Sequence, residues 1–210
     1  MADRVVHVPR ERLVGWVDGF ARRHGPVAGF LTSDSVTLTA TDGAVAVVTV
    51  PFLPWSPSGE PVEALLAHVA RDRLVGAVLV RLGGYAVGRF VGTRLVASKV
   101  DSTYVQGRTK AGGWSQQRYA RRRGNQAAKA YAETADVTAR LLLPYVAELD
   151  GLVGGGDAGA VSAVLADSRL APLRPLLQPR VHPVPDPRLR VLEAFPEQYL
   201  AVEIALNELA

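Results

Sequence analysis

The sequence contains no cysteine. Without thiols the chain has no disulfide framework, no thiol nucleophile and no thiolate-bound zinc site. It also lacks any run of the ~20 apolar residues that a membrane-spanning helix needs, and its start at Met1 has no cationic segment leading into a long apolar core. We therefore expect a cytoplasmic protein with no membrane partner. The length of 210 residues and the hydrophobic content of 48% suit one large domain or two small ones.

Lysine is also scarce. Of the 24 basic residues only Lys99, Lys110 and Lys129 are lysines. Arginine makes bidentate contacts with phosphate and stacks on bases, so this bias suits a nucleic-acid-binding protein. Coding bias explains an overall excess of arginine equally well, but it does not explain where the basic residues cluster.

Acidic residues are absent from residues 102–132, which we call the acid-free segment. The formal net charge of the whole chain is only +4, and the chain outside this segment is net negative. A local cationic field of this kind indicates a polyanionic partner, which we take to be RNA, with no DNA expected. The alternative is a solvated surface helix, because charge runs are usually just solvated. The seven basic residues of the segment are Arg108, Lys110, Arg118, Arg121, Arg122, Arg123 and Lys129.

The chain before residue 61 is typical of a small α+β segment. Leu13, Trp16, Val17 and Phe20 recur at three- and four-residue spacing and predict an amphipathic helix. Three β-rich runs follow at 27–31, 36–41 and 44–50, and residues 51–61 then contain four prolines. We place a domain boundary there, which divides the chain into an N-terminal segment, 1–60, and a second domain, 61–210.

The second domain is predicted to be α/β. Runs at 75–80, 85–91 and 95–100, joined by short glycine-containing links, predict an antiparallel meander. A helix should begin near Ser115 and end or kink at Pro144. A strand at 151–153, a helix at 158–165, a strand near 181–182 and a helix at 187–194 follow, and the run 199–206 fits either a strand or a helix. The result is a mixed sheet covered by helices, as in ribonuclease-H-like folds. The inner face of the long helix should comprise Ala127 or Ala128, Tyr131, Ala135, Thr138 and Leu142.

The sequence lacks the residues that several kinds of catalysis require. The four histidines are far apart in sequence and have no metal-ligand spacing. A ribonuclease-H-type nuclease needs several carboxylates at strand ends, but the first two meander strands have none and Asp101 stands alone at the end of the third. Three glycines at 154–156 suggest a phosphate-binding turn, yet no Gly-Lys-Ser/Thr follows, so a plain loop is favoured. We expect no metal and no cofactor.

The centre of the acid-free segment has the composition of a substrate-approaching loop. Gly107, Gly112 and Gly113 permit backbone angles closed to other residues and a close approach to a ligand. Behind them Arg118, Arg121 and Arg122 recur at helical spacing, where they could grip phosphates. Taken alone, the composition also fits a flexible loop that leads into a solvated arginine helix.

The run from Arg108 to Arg118, continuing through Arg121-Arg122-Arg123 and Asn125-Gln126-Ala127, resembles the catalytic loop and helix of the Vms-like release factors. These are peptidyl-tRNA hydrolases related to the middle domain of eukaryotic and archaeal class I release factors, and this chain looks like a compact bacterial member. The resemblance is strongest over residues 83–131. It implies a release-factor middle-domain-like fold and cleavage of the ester between peptide and tRNA on stalled large ribosomal subunits.

The resemblance also implies roles for individual residues. Gln116, which follows Gly113, Trp114 and Ser115, takes the place of the family's active glutamine, and Gln117 is the second choice. Glutamine does not titrate near neutral pH, so Gln116 would position water rather than act as a base. The implied catalytic residues are Gln116, Ser115 and Gly113. The implied substrate- or RNA-binding residues are Gly112, Trp114, Gln117, Arg108, Lys110, Arg118, Arg121, Arg122 and Arg123.

The chain departs from its relatives in two ways. Trp114 interrupts the shorter Gly-Ser-Gln or Gly-Gly-Gln form, and no codon-reading domain is evident. Rescue of stalled chains therefore fits better than stop-codon termination, with peptidyl-tRNA and the large ribosomal subunit as partners. The rival hypotheses are a non-catalytic ribosome- or RNA-binding module and, less favoured, a metal-dependent nuclease.

Overall fold

The structure is a computed structural model that describes residues 4–81, 84–102 and 115–210, with only the backbone described for 115–125. The chain forms two compact units. Unit 1 comprises Met1–Asp72 and Pro196–Ala210, and unit 2 comprises Arg73–Phe195. This division differs from the predicted 1–60 and 61–210, because the second helix and the last strand of the chain belong to unit 1.

The elements follow in chain order. The strands are β1 Arg4–Val8, β2 Val27–Leu31, β3 Ser35–Ala40, β4 Val45–Thr49, β5 Leu74–Arg81, β6 Gly84–Val91, β7 Arg94–Asp101, β8 Gly151–Gly156, β9 Leu177–His182 and β10 Val202–Leu206. The α-helices are α1 Leu13–His24, α2 Pro61–Ala70, α3 Ser115–Leu142, α4 Ala158–Leu165, α5 Leu189–Glu193 and α6 Pro196–Tyr199. Short 3-10 helices occupy Arg10–Arg12, Leu143–Tyr145 and Ser168–Leu176.

Unit 1 is built on one antiparallel sheet with the strand order β1-β10-β4-β3-β2. Alternate residues of its strands, such as Leu38, Val48 and Ile204, point into a core that α1 completes with Leu13 and Phe20. The run 199–206 is therefore a strand from residue 202 onward, and it enters the sheet between β1 and β4. Strand β1 was not predicted from the sequence.

Unit 2 is built on a mixed sheet with the strand order β7-β6-β5-β8-β9. Strands β5, β6 and β7 form the predicted antiparallel meander, and β8 and β9 extend it with parallel pairing. A Cβ atom at Gly76 would touch Leu142 of α3, whereas one at Gly88 would touch Leu192 of α5. Gly76 pairs with Arg89, the neighbour of Gly88, so these contacts lie on opposite faces of the sheet. The predicted α/β class, a mixed sheet covered by helices, is confirmed.

The three consecutive glycines at 154–156 lie in strand β8, so the prediction of a loop there is wrong. Gly154 and Gly155 pair with β5 on one side and with β9 on the other. A Cβ atom at Gly155 would lie 3.1 Å from Leu79 Cδ2 and 3.2 Å from Phe195 Cζ. Glycine is present here because neighbouring side chains pack against the bare backbone of the strand.

Helix α3 begins at Ser115, as predicted, and ends at Leu142, two residues before Pro144. Ala135, Thr138 and Leu142 of the predicted inner face are buried, and Tyr131 packs against the core of unit 2. Ala127 rather than Ala128 is the partly buried alternative. The buried face also includes Thr134 and Val137, which were not predicted from the sequence.

Candidate functional site

The predicted site residues fall into two groups. Five of them lie outside the described residues: Arg108, Lys110, Gly112, Gly113 and Trp114. The others lie in the first part of helix α3, where the backbone alone is described: Ser115, Gln116, Gln117, Arg118, Arg121, Arg122 and Arg123. The structure therefore describes the two elements that flank the candidate loop in sequence, the end of strand β7 and helix α3. We call these two elements the supports of the loop.

The first support is the end of strand β7, where Asp101 pairs with Tyr85 of β6. Asp101 accepts a hydrogen bond from the backbone N–H of Ser102 at 2.9 Å and lies 3.5 Å from Lys99 Nζ. Gly84 has a φ of +153°, and a Cβ atom there would lie 2.5 Å from the Asp101 carbonyl oxygen. Only glycine allows the two strands to approach so closely at this point.

The Tyr85 side chain connects this strand end to α3. It is 1% exposed, and its hydroxyl donates to Glu133 Oε1 over 3.4 Å. Burial, followed by the negative charges of Glu133 and Asp101, raises the pKa of Tyr85 to about 12. The hydroxyl therefore stays a neutral donor over the physiological pH range. Gly84, Tyr85 and Glu133 therefore connect the end of β7 to α3. None of these three residues was selected from the sequence for a functional role.

The second support is the C-terminal third of α3, which packs on the sheet. Two buried threonines satisfy their hydroxyls within the helix: Thr134 Oγ1 donates to the Ala130 carbonyl at 2.7 Å, and Thr138 Oγ1 to the Thr134 carbonyl at 2.8 Å. This pairing lets polar side chains sit in an apolar interface without an unsatisfied donor. Beyond the helix end, the Arg89 guanidinium stacks 3.2 Å above the Tyr145 ring. The helix is thus held firmly at the end farthest from Gln116.

The charge of α3 changes sign where it meets the sheet. The first turn contains no acidic residue, and the first carboxylates along the helix are those of Glu133 and Asp136, both exposed. Asp136 Oδ1 lies 2.7 Å from Arg169 Nη1, and Arg169 also binds Asp167. The acid-free segment therefore ends just after Tyr131, near the start of the packed part of the helix. Asp136 further connects that part to the 3-10 helix at Ser168–Leu176.

Replacing Arg169 with glutamine should lower the melting temperature by about 1–2 °C at neutral pH, because exposed ion pairs contribute little, and by progressively less in acid. The hydrogen bond from the Arg169 side chain is the main reason that the pKa of Asp167 falls from 3.8 to about 2. A lowered carboxyl pKa contributes stability above the unfolded value and loses it as the pH falls toward about 2. Melting followed by circular dichroism from pH 7 to pH 2 checks this.

The matched control for this experiment is Arg190→Gln. Arg190 is exposed on α5 and has no ion pair among the described residues. The Arg190→Gln variant should show the same acid dependence of the melting temperature as the unaltered protein. Equal pH profiles for Arg169→Gln and the unaltered protein would contradict the assigned ion pairs.

The carboxylates at the strand ends of unit 2 are used by the backbone. Asp150 Oδ2 accepts from the Leu74 N–H at 2.8 Å, and Asp157 Oδ1 accepts from the Ala160 N–H at 2.8 Å as the N-cap of α4. Asp101 is engaged as described above. In the described ranges no three His, Cys, Asp or Glu residues are grouped closely enough to hold a metal ion.

The four histidines lie at separate places and make local contacts. His7 Nε2 lies 3.3 Å from Glu203, and His24 Nδ1 lies 2.8 Å from Asp42 Oδ2. His68 Nε2 bonds the Pro51 carbonyl at 2.8 Å, and His182 is buried against the Phe195 ring. Each contact explains its histidine as part of the local structure. None of the described helices combines the length and apolar content that crossing a bilayer requires.

Comparison with known proteins identifies the family of this chain and finds similar solved structures. No curated protein matches it. Among solved structures, one described as an archaeal protein is 17% identical, with a TM-score of 0.40, and the match covers 74% of this chain and 47% of that one. The crystal structure of the archaeal translation termination factor aRF1 is 13% identical, with a TM-score of 0.41, and the match covers 93% of this chain and 66% of that one. The chain thus spans about half and about two thirds of the lengths of these two structures.

The family match covers most of the chain. The sequence profile of the Actinobacteria/Chloroflexi VLRF1 release factors matches residues 73–205, which include all of unit 2, the acid-free segment and both supports described above. The match agrees with the release-factor resemblance that the sequence indicated. The chain belongs to the VLRF1 release factor family of Actinobacteria and Chloroflexi.

Proposed function

We propose that the protein is a cytoplasmic peptidyl-tRNA hydrolase that cleaves the ester between nascent peptide and tRNA on stalled ribosomes or large ribosomal subunits. The observation that carries this proposal is the acid-free segment itself. Its glycines and Gln116 lie between the end of β7 and the packed part of α3, in a chain of the release factor family. The basic residues would hold RNA phosphates, and the loop would reach the ester.

The proposed reaction is hydrolysis without a metal or cofactor. A water oxygen attacks the ester carbonyl carbon, the bond from that carbon to the ribose oxygen breaks, and the ribose oxygen takes up a proton. The neighbouring ribose hydroxyl can relay that proton. The products are a peptide with a free carboxylate and a tRNA with an intact 3′ end.

In this reaction Gln116 acts by orientation. Its amide can donate to one group and accept from another, so it can hold the attacking water in line with the carbonyl. A backbone N–H of the loop would face the developing oxyanion, and preorganised donors of this kind supply a large part of the catalysis in acyl transfer. Gly113 would allow the close backbone approach, and Ser115 would begin the helix immediately before the glutamine.

The second proposed role, retained from the sequence, is non-catalytic binding of the ribosome or RNA through the same basic helix. A metal-dependent nuclease is disfavoured because the carboxylates at the strand ends of unit 2 accept backbone hydrogen bonds within the fold.

Product analysis separates these roles. The protein is incubated with large ribosomal subunits that carry a labelled peptidyl-tRNA, and the tRNA is then isolated. The hydrolase predicts free peptide and a tRNA that an aminoacyl-tRNA synthetase can recharge, which requires an intact 3′ end. A shortened tRNA would identify a nuclease, and bound but uncleaved peptidyl-tRNA would identify a binding module.

A further inference from the structure

Strand β2 is unusual among the sheet edges of this protein. The two described sheets have four edge strands, β1, β2, β7 and β9. Proteins protect such edges with charges or proline, because unpaired backbone groups invite another chain. Three of the edges follow this rule: β1 has Arg4 and His7, β7 has Arg94, Lys99 and Asp101, and β9 has Pro179 and Arg180. The β2 sequence, Val-Ala-Gly-Phe-Leu, has neither a charge nor a proline.

The free edge of β2 presents a short row of backbone groups. In an antiparallel pair alternate residues point their N–H and C=O toward the partner strand. The Thr32 N–H bonds the Ser35 carbonyl at 2.9 Å, so Phe30 and Ala28 continue that bonded row toward β3 without a register shift. Val27, Gly29 and Leu31 therefore point their backbone groups outward, and no hydrogen bond among the described residues uses them.

The side chains next to this edge are also uncovered. Phe30 is 67% exposed, the largest exposure among the large apolar side chains of the described residues, and its same-face neighbour Ala28 is exposed as well. On the opposite face the edge is covered, because a Cβ atom at Gly29 would lie 2.8 Å from Pro61 Cβ of α2. The uncovered surface is thus the edge itself and the face that carries Phe30.

The β2 edge is complementary to itself. If two copies pair antiparallel about a twofold axis at Gly29, Val27 faces Leu31 and Ala28 faces Phe30 of the second copy. The outward backbone groups of Val27, Gly29 and Leu31 then all form hydrogen bonds with those of the second copy. Each bulky phenyl ring lies beside a small methyl group, and the two rings are diagonal neighbours about 7–8 Å apart, within reach of an edge contact. An isologous interface requires this kind of self-matching.

Charge favours the same antiparallel arrangement. The last turn of α1, directly before β2, contains Arg22 and Arg23, and Asp34 follows β2 in the turn to β3. Antiparallel pairing brings the acidic end of one copy toward the basic end of the other, whereas parallel pairing brings like charges together.

We propose that the protein forms a twofold dimer in which the β2 edges of two copies pair antiparallel about Gly29 and join the two unit 1 sheets into one ten-stranded sheet. The occupant of this edge is a second copy of the chain. This interface lies in unit 1, outside the acid-free segment, so its test is independent of peptidyl-tRNA hydrolysis.

Sedimentation equilibrium of the full chain, freed of nucleic acid and studied at about 1–200 µM, tests this proposal. The unaltered protein should show a monomer–dimer equilibrium. Phe30→Glu should raise the dimer Kd about tenfold or more, because each substitution removes two symmetry-related cross-strand pairs. Val5→Glu is the matched control: Val5 is a 52% exposed apolar residue on β1, at the other edge of the same sheet. It should leave the Kd unchanged.

A double variant tests the register. Ala28→Lys combined with Phe30→Glu places opposite charges across the axis and should restore a Kd near that of the unaltered protein, whereas Ala28→Glu with Phe30→Glu should not. Melting curves show whether each variant is folded. A chain that stays monomeric throughout the concentration range overturns the proposal. So does an equal loss of dimer in Val5→Glu, or a failure of the opposite charges to restore it.

Discussion

Replacing Gln116 with alanine is expected to lower the rate of peptidyl-tRNA hydrolysis by at least ~100-fold, to the point of abolishing it in a rescue assay. The side-chain amide is the proposed water-positioning group, and alanine provides no donor or acceptor to replace it. Binding to the large subunit should be nearly unchanged, because the substitution removes no charge. The measurement is single-turnover peptide release from peptidyl-tRNA on isolated large subunits, with binding followed in parallel by co-sedimentation.

Gln117→Ala is the matched control for this experiment. It removes the same chemical group one residue further along α3, about 100° around the helix axis. If Gln116 is the active residue, Gln117→Ala should retain most of the release activity. A reversed pattern would shift the active amide by one residue, and full hydrolysis by both variants would contradict a glutamine-based mechanism.

Reversing the charge of Arg121, Arg122 and Arg123 together to glutamate should weaken association with tRNA or the large subunit about 100-fold or more at ~0.1 M salt. Each phosphate contact that is lost removes the favourable release of a condensed counterion. The slope of log K against log salt should also become shallower, by about one unit for each phosphate contact that these arginines make. Binding isotherms at several salt concentrations measure both effects.

Arg188→Glu with Arg190→Glu provides the control for this charge reversal. Both residues are exposed in unit 2 and lie outside the acid-free segment. Their reversal lowers the overall charge of the protein but should change the salt slope little. If each reversed charge weakens binding by the same factor in the two sets, affinity depends on net charge alone, and the acid-free segment has no special role.

The local parts of the fold could be predicted from the sequence because their signals are local. The meander strands are separated by short glycine links, and the inner face of α3 follows from the spacing of Ala135, Thr138 and Leu142. Helix geometry turns such spacing directly into a buried stripe. Each of these elements is therefore defined by residues within a few turns or strand lengths of each other.

Elements whose surroundings come from distant parts of the chain could not be predicted in the same way. Strand β10 pairs with β1 and β4, so its membership of unit 1 depends on residues more than a hundred positions away. The glycines at 154–156 have the local signature of a turn. They form a strand because Leu79, Val161 and Phe195 pack against them. Tertiary packing overrides local propensity in both places.

The candidate site likewise has some residues that local sequence signals identify and others that only contacts between distant parts of the chain reveal. The acid-free segment and Gln116 were identified from charge and from the release-factor resemblance, both of which are readable along the chain. Tyr85 and Glu133, by contrast, meet across 48 positions of sequence. Only one local signal pointed toward this contact, the glycine directly before Tyr85, since a glycine with a positive φ marks a close approach of two backbones.

The carboxylates of Glu133 and Asp136 have a consequence for how RNA would lie on α3. A phosphate backbone that follows the helix from Ser115 would meet the exposed carboxylate of Glu133 after about 18 residues, or ~27 Å at 1.5 Å per residue. The carboxylate of Asp136, which Arg169 binds, lies one turn further along. Repulsion would then limit the footprint of the RNA to that length. If RNA binds as proposed, this part of the helix would determine how far the RNA extends toward the sheet, and Tyr85 and the packed threonines would lie outside the RNA contact.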